Sequence, residues 1–118
     1  MQKEIVSIAS TSIPEQWKSV LIEVAEYIKN NAPQTLTGAY VFGSLARSEL
    51  RYDSDVDVCL TFVDKTDLRD RHLLEFKGML RSISLDIPVD VVCCHDSTLQ
   101  SSDQPLFQEI RRDGRKFV

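Results

Sequence analysis

The stretch that most restricts this chain is Asp55–Val56–Asp57–Val58–Cys59–Leu60. Acidic and apolar side chains alternate here with a period of two, the period of a strand. On a strand, Asp55 and Asp57 face one way, while Val56, Val58 and Leu60 face the other, into a packed layer. The Cα atoms of the two aspartates then lie roughly 6–7 Å apart, so their carboxylates can converge on one point. Like charges held together repel and raise each other's pKa, which makes the pair costly unless a cation neutralises it. Carboxylate oxygens suit Mg²⁺, which keeps some waters and completes its shell with substrate phosphates. Two such ions about 3.5–4 Å apart serve an in-line phosphoryl displacement.

Two further pieces fall around this strand. Upstream, Leu36 to Phe42 is short, apolar and aromatic and reads as a strand that stops at Gly43–Ser44. Glycine allows close approach of a ligand to the backbone. The N–H groups of the helix start that follows, with the Ser44 hydroxyl, form an anion site. Ser44 to Leu50 reads as that short helical stretch, with Arg47 and Arg51 nearby. Downstream, Pro88 to Cys94 is another β-rich run that contains Asp90. If it pairs beside the first acidic strand, Asp90 completes a triad and serves as a metal ligand or as a general base for an attacking hydroxyl.

The remaining elements are helices. Trp17, Val20, Leu21, Val24 and Ile28 recur at three- and four-residue steps, and the pattern ends near Asn30–Asn31 before Pro33. Its start is placed with Ser12 or Ile13 at the N-cap and Pro14 in the first turn. Leu68, His72, Leu73, Phe76, Met79, Leu80 and Ile83 fit a second amphipathic helix, with His72 on its apolar face. Leu106, Phe107 and Ile110 suggest a last short helix closed by Gly114, with Arg115 to Val118 as a terminal strand or tail. The fold class is α/β: a small mixed sheet with helices packed on it, 1–118 forming one domain.

Plainer readings stand beside these. Asp55 and Asp57 also fit a solvated edge-strand face, Gly43–Ser44 a simple turn, and Asp90 a structural residue at a strand end. Asp53, Asp55 and Asp57 imitate the opening of a calcium loop, but Val58 and Asp64 stand where that loop needs glycine and glutamate. Cys59, Cys93, Cys94 and His95 match no zinc spacing, and adjacent cysteines on a strand face opposite ways, so they read as small apolar packers. There is no P-loop and no Gly-x-Gly-x-x-Gly motif.

Composition narrows the function classes. At 118 residues, 42% hydrophobic and 27% charged, the chain has material for one core and none for a separate substrate domain. A net charge of −4 disfavours a nucleic-acid substrate, which calls for a basic excess. No apolar window is long enough to span a membrane, and residues 1–10 lack the apolar core of a signal peptide. Three cysteines, two of them adjacent, argue for a reducing compartment, the cytoplasm.

Gly43–Ser44, ten residues, Asp55–Val56–Asp57 and then a later strand aspartate, Asp90, together resemble the DNA polymerase β-like nucleotidyltransferase superfamily. The Gly-Ser-Leu-Ala-Arg opening, Gly43 to Arg47, resembles its minimal branch, although Ser48 stands where many members have glycine. The resemblance implies a mixed sheet, Mg²⁺ and a nucleotide donor. It implies phosphate contacts from Gly43 and Ser44. It implies metal binding by Asp55 and Asp57, and a base or metal-ligand role for Asp90. Read from the residues alone, Arg47 and Arg51 fit contact with a triphosphate, contact with an acidic partner, or plain solvation. Many minimal members are encoded beside a HEPN-domain ribonuclease toxin and act as its antitoxin, moving AMP from ATP to a tyrosine hydroxyl of the toxin. That is the expected activity, with the HEPN toxin as partner. The rivals are an antitoxin that acts by contact alone and an adenylyltransferase for a small molecule such as an antibiotic.

Overall fold

A computed structural model of the chain describes residues 13–47, 49–51 and 53–118. The expectations for the N-terminal decapeptide, for Ser12 and for Ser48 lie outside the described residues. Helix α1 runs Glu15–Asn31 and buries Trp17, Val20, Leu21, Val24, Ala25 and Ile28 along one stripe. Pro14 is its N-cap, one position ahead of the first turn where the sequence places it. The helix stops at Ala32, which is held extended (φ −65°, ψ 140°) because Pro33 excludes the helical conformation from the residue before it.

Strand β1 (Leu36–Phe42) leads into a single helical turn, α2 (Gly43–Ala46). The helical stretch is therefore shorter than Ser44 to Leu50, and Arg47 is its C-cap. Strand β2 is Val56–Phe62, helix α3 is Arg71–Arg81 and strand β3 is Val89–His95. Asp70 caps α3, its carboxylate accepting from the N–H groups of His72 and Leu73. Helices α4 (Asp96–Ser101) and α5 (Pro105–Asp113) follow, and β4 is Arg115–Lys116.

The sheet is mixed, in the order β3-β2-β1-β4. β1 is antiparallel to β2 and to β4, while β2 and β3 are parallel. Alternation along the strands splits the core into two layers. Val56, Val58, Leu60 and Phe62 of β2 pack with the stripe of α1 and with Leu73, Phe76 and Leu80 of α3. Phe42, Cys59 and Cys94 pack on the opposite face with Leu99 of α4 and Phe107 and Ile110 of α5. Each fully buried aliphatic side chain contributes roughly 1.5–3 kcal/mol. Among the described residues, the first layer, with 21 buried residues against six in the second, therefore carries most of the stability.

His72 is exposed, not on the core face. Leu73, Phe76 and Leu80 define that face, and His72 sits about 100° around the helix from Leu73. Met79 is likewise turned out, 55% exposed. Cys93 and Cys94 do face opposite layers. Among the described residues, no helix is long and apolar enough to cross a membrane.

Candidate active site

The second-layer face is apolar only along half of its length. Cys59 and Cys94 lie under α4 and α5, but the same face begins with Asp57 on β2 and Asp90 on β3. The parallel register sets Asp57 directly beside Asp90. Asp55 precedes the first residue of β2 and alternates onto the same face. Oxygen atoms of Asp55, Asp57 and Asp90 all lie within 4.8 Å of one another. The conditional pairing that brings Asp90 into the triad therefore holds.

Electrostatics follow from this crowding. Asp57 is half-buried, and its pKa rises to about 6: burial is the main cause, followed by the charges of Asp90, Asp55 and Glu109, while Arg47 pulls it down. Asp55 is also raised, by burial first, then by hydrogen bonding and charge from Asp90, then by Asp53. Three carboxylates this close, offering only oxygen donors, fit a hard divalent cation. Asp55, Asp57 and Asp90 are the residues that would hold it.

The Gly43–Ser44 turn is built against the same triad. Phe42 at the end of β1 is in register with Asp57, so the chain leaves β1 beside the acidic end of β2. Gly43 takes φ +73° and is buried; a Cβ at this position would collide with the Asp57 carboxylate. Ser44 is half-buried beside it. The structure thus brings Gly43 against Asp57, with Ser44 the next residue of the turn.

Arg47 is differently engaged. Its guanidinium donates to Glu49 and, at 3.2 Å, to Glu109 of α5, and lies 4.0 Å from Asp113. These ion pairs strap α2 to α5. Glu109 and Asp113 are the neighbours that sequence reasoning missed. The i,i+4 acidic spacing on the polar face of α5 was their only signal.

The polymerase beta, nucleotidyltransferase family model matches residues 23–117. A chain of a toxin–antitoxin structure with AMP-PNP is 27% identical over 85% of this chain and 71% of its own, with a TM-score of 0.56. A chain of a mutant of the toxin–antitoxin MntA-HpeT is 26% identical over 83% and 71%, with a TM-score of 0.57. A structure of a tri-AMPylated Shewanella oneidensis HEPN toxin in complex with MNT antitoxin gives 24% identity over 86% and 71% and a TM-score of 0.55, a likeness of fold alone. No curated protein matches. The family match takes in β1, the Gly43–Ser44 turn and all three aspartates, and the chain belongs to the polymerase beta nucleotidyltransferase family.

Proposed function

We propose that this chain, 1–118 as one minimal nucleotidyltransferase domain, is a cytoplasmic antitoxin that transfers AMP from ATP to a tyrosine hydroxyl of a HEPN-toxin partner. The observation that carries the chemistry is the convergence of Asp55, Asp57 and Asp90 within 4.8 Å beside the Gly43–Ser44 turn. The similar chain in the toxin–antitoxin structure with AMP-PNP supports both the donor and the partner class. Magnesium, when bound, neutralises the triphosphate and polarises its α-phosphate. Asp55 and Asp57 hold and orient that charge. The Gly43 and Ser44 backbone, with the Ser44 hydroxyl, orients the phosphates. Exposed Asp90 accepts the phenolic proton as the tyrosine oxygen attacks the α-phosphorus. The new bond is tyrosine oxygen to α-phosphorus; the bond broken joins the α-phosphorus to the bridging oxygen, and pyrophosphate leaves.

The acceptor is placed on another protein because the similar solved chains come from toxin–antitoxin structures. The test is intact mass. The chain is incubated with ATP, Mg²⁺ and its co-encoded neighbour, with Asp55→Asn/Asp57→Asn as control. A gain of one or more adenylyl units on the neighbour, absent in the control, is expected. A stable complex without any gain replaces this reading with an antitoxin that acts by contact.

A further inference from the structure

Two of the three carboxylates are held by the sheet itself. Asp57 lies in the ladder between β1 and β3, and Asp90 lies in β3. Asp55 lies outside the ladder, in the segment that enters β2. Its position depends on what anchors that segment. Ser54 and Arg51 bond each other twice, Ser54 N–H to the Arg51 carbonyl at 3.0 Å and Arg51 N–H to Ser54 Oγ at 2.8 Å. Those bonds are local and would move with the segment as a unit.

Among the described residues, two hydrogen bonds tie the segment to the rest of the molecule. On the β2 side, Val56 N–H donates to the Pro88 carbonyl at 2.9 Å. On the other side, the Trp17 indole Nε1–H donates to the Ser54 carbonyl at 3.1 Å, across 37 positions of sequence. Trp17 itself is 6% exposed and wedged in the α1 stripe. A buried indole N–H needs a partner, and this one finds it on the residue that precedes Asp55.

We infer that Trp17 is a positioning residue for the metal site, holding Asp55 against Asp57 and Asp90 through the Ser54 carbonyl. This rests on the proposed metal-binding role of the triad. Trp17 touches no reacting group. Its effect is to keep Asp55 in place where its carboxylate neighbours repel it, so that the site is formed before a cation arrives.

The test is Mn²⁺ binding by calorimetry on the full chain. Trp17→Phe keeps an aromatic ring in the stripe and removes the donor. Mn²⁺ affinity is expected to fall about fivefold, the worth of one such hydrogen bond. Leu21→Ala loosens the same helix without touching Ser54; its Tm falls at least as far, while its Mn²⁺ affinity stays within about twofold. Equal affinity in wild type and Trp17→Phe overturns the inference and leaves the metal site standing. So does an equal loss in Leu21→Ala. A wild type that binds no Mn²⁺ overturns both the site and the inference. A second readout needs no variant of Trp17. It is the single tryptophan of the chain, so its indole ¹H–¹⁵N resonance is unique. Mg²⁺ is expected to shift that resonance in wild type and not in Asp55→Asn, and a resonance that stays fixed through the titration overturns the inference.

Discussion

The backbone of Gly43 lies against the carboxylate of Asp57, with room between them for a hydrogen and not for a methyl group. Gly43 also has φ +73°, where an L side chain costs roughly 1–2 kcal/mol. One residue thus both turns the chain out of β1 and leaves space for the carboxylate at the first position of that face of β2. Gly43→Ala is expected to lower stability by at least about 1–2 kcal/mol. It is also expected to displace Asp57 and to reduce nucleotidyl transfer by on the order of 100-fold, the cost typical of a misplaced reacting group. Thermal melts and single-turnover transfer check the two effects. Unchanged transfer would mean that the Asp57 carboxylate does not need its present position.

Asp57 predicts a pH dependence of the metal-free protein. Its pKa is 3.8 ordinarily and about 6 when folded, so the folded state binds more protons between those values. Stability therefore falls as pH rises from about 4 to about 6, and stays lower above that. The group is half-buried, so solvent screening leaves an effect on the order of 1 kcal/mol. Asp55 is shifted the same way. Asp64 and Asp113 are shifted down and act in the opposite sense at lower pH. The informative quantity is thus the difference from Asp57→Asn. That variant is expected to melt higher than wild type at pH 7.5 and to lose most of that advantage at pH 4.5. Adding Mg²⁺ at pH 7.5 raises the Tm of wild type alone. A Tm difference independent of pH would remove charge repulsion as the cause.

Gly114 gives a contrast with Gly43. At φ −66° any residue could adopt its backbone, so the left-handed cap that glycine usually supplies is not formed. Space is the constraint: its N–H donates to the Ile110 carbonyl at 2.7 Å, and an added Cβ would collide with that oxygen. Gly114→Ala is expected to cost about 1–3 kcal/mol by overpacking, and to leave Mn²⁺ affinity unchanged. Denaturant melts and calorimetry separate the two readouts.

What the sequence made legible follows period and motif. The Asp-Val-Asp-Val alternation located β2 and assigned its two faces, because the valine face could only be buried while the other begins with carboxylates. The end of β1 was marked by Gly43. The partnership of Asp90 was conditional, since no local pattern states which strands are neighbours; the parallel register settles it. Helix α4 escaped because its six residues bury only Leu99, too little for a period. β4 is two exposed residues whose pairing with β1 is secured by Phe117, which is fully buried behind them. The Trp17–Ser54 bond was invisible because the apolar stripe that located Trp17 says nothing about its N–H.

Arg47 is held by carboxylates on two sides of the Gly43–Ala46 turn. Its guanidinium is shared among Glu49, Glu109 and Asp113. On the proposed function, a triphosphate at Gly43–Ser44 would compete with those carboxylates for it. Because the arginine is exposed, its surface pairs are worth little, and Arg47→Ala is expected to leave the Tm nearly unchanged. The same change removes a positive charge that holds Asp57 down, and so weakens the site's negative charge by favouring protonation. If Arg47 exchanges its carboxylates for phosphate, the KM for ATP rises about fivefold with kcat nearly constant, the pattern of a binding contact made equally in ground and transition states. Glu109→Gln releases the guanidinium and lowers the charge around Asp57, so KM for ATP is expected to fall in that variant. Steady-state kinetics on the two variants decide the point. A KM that does not move in either would leave Arg47 as a strap between α2 and α5, and would place the phosphate contacts on Gly43 and Ser44 alone.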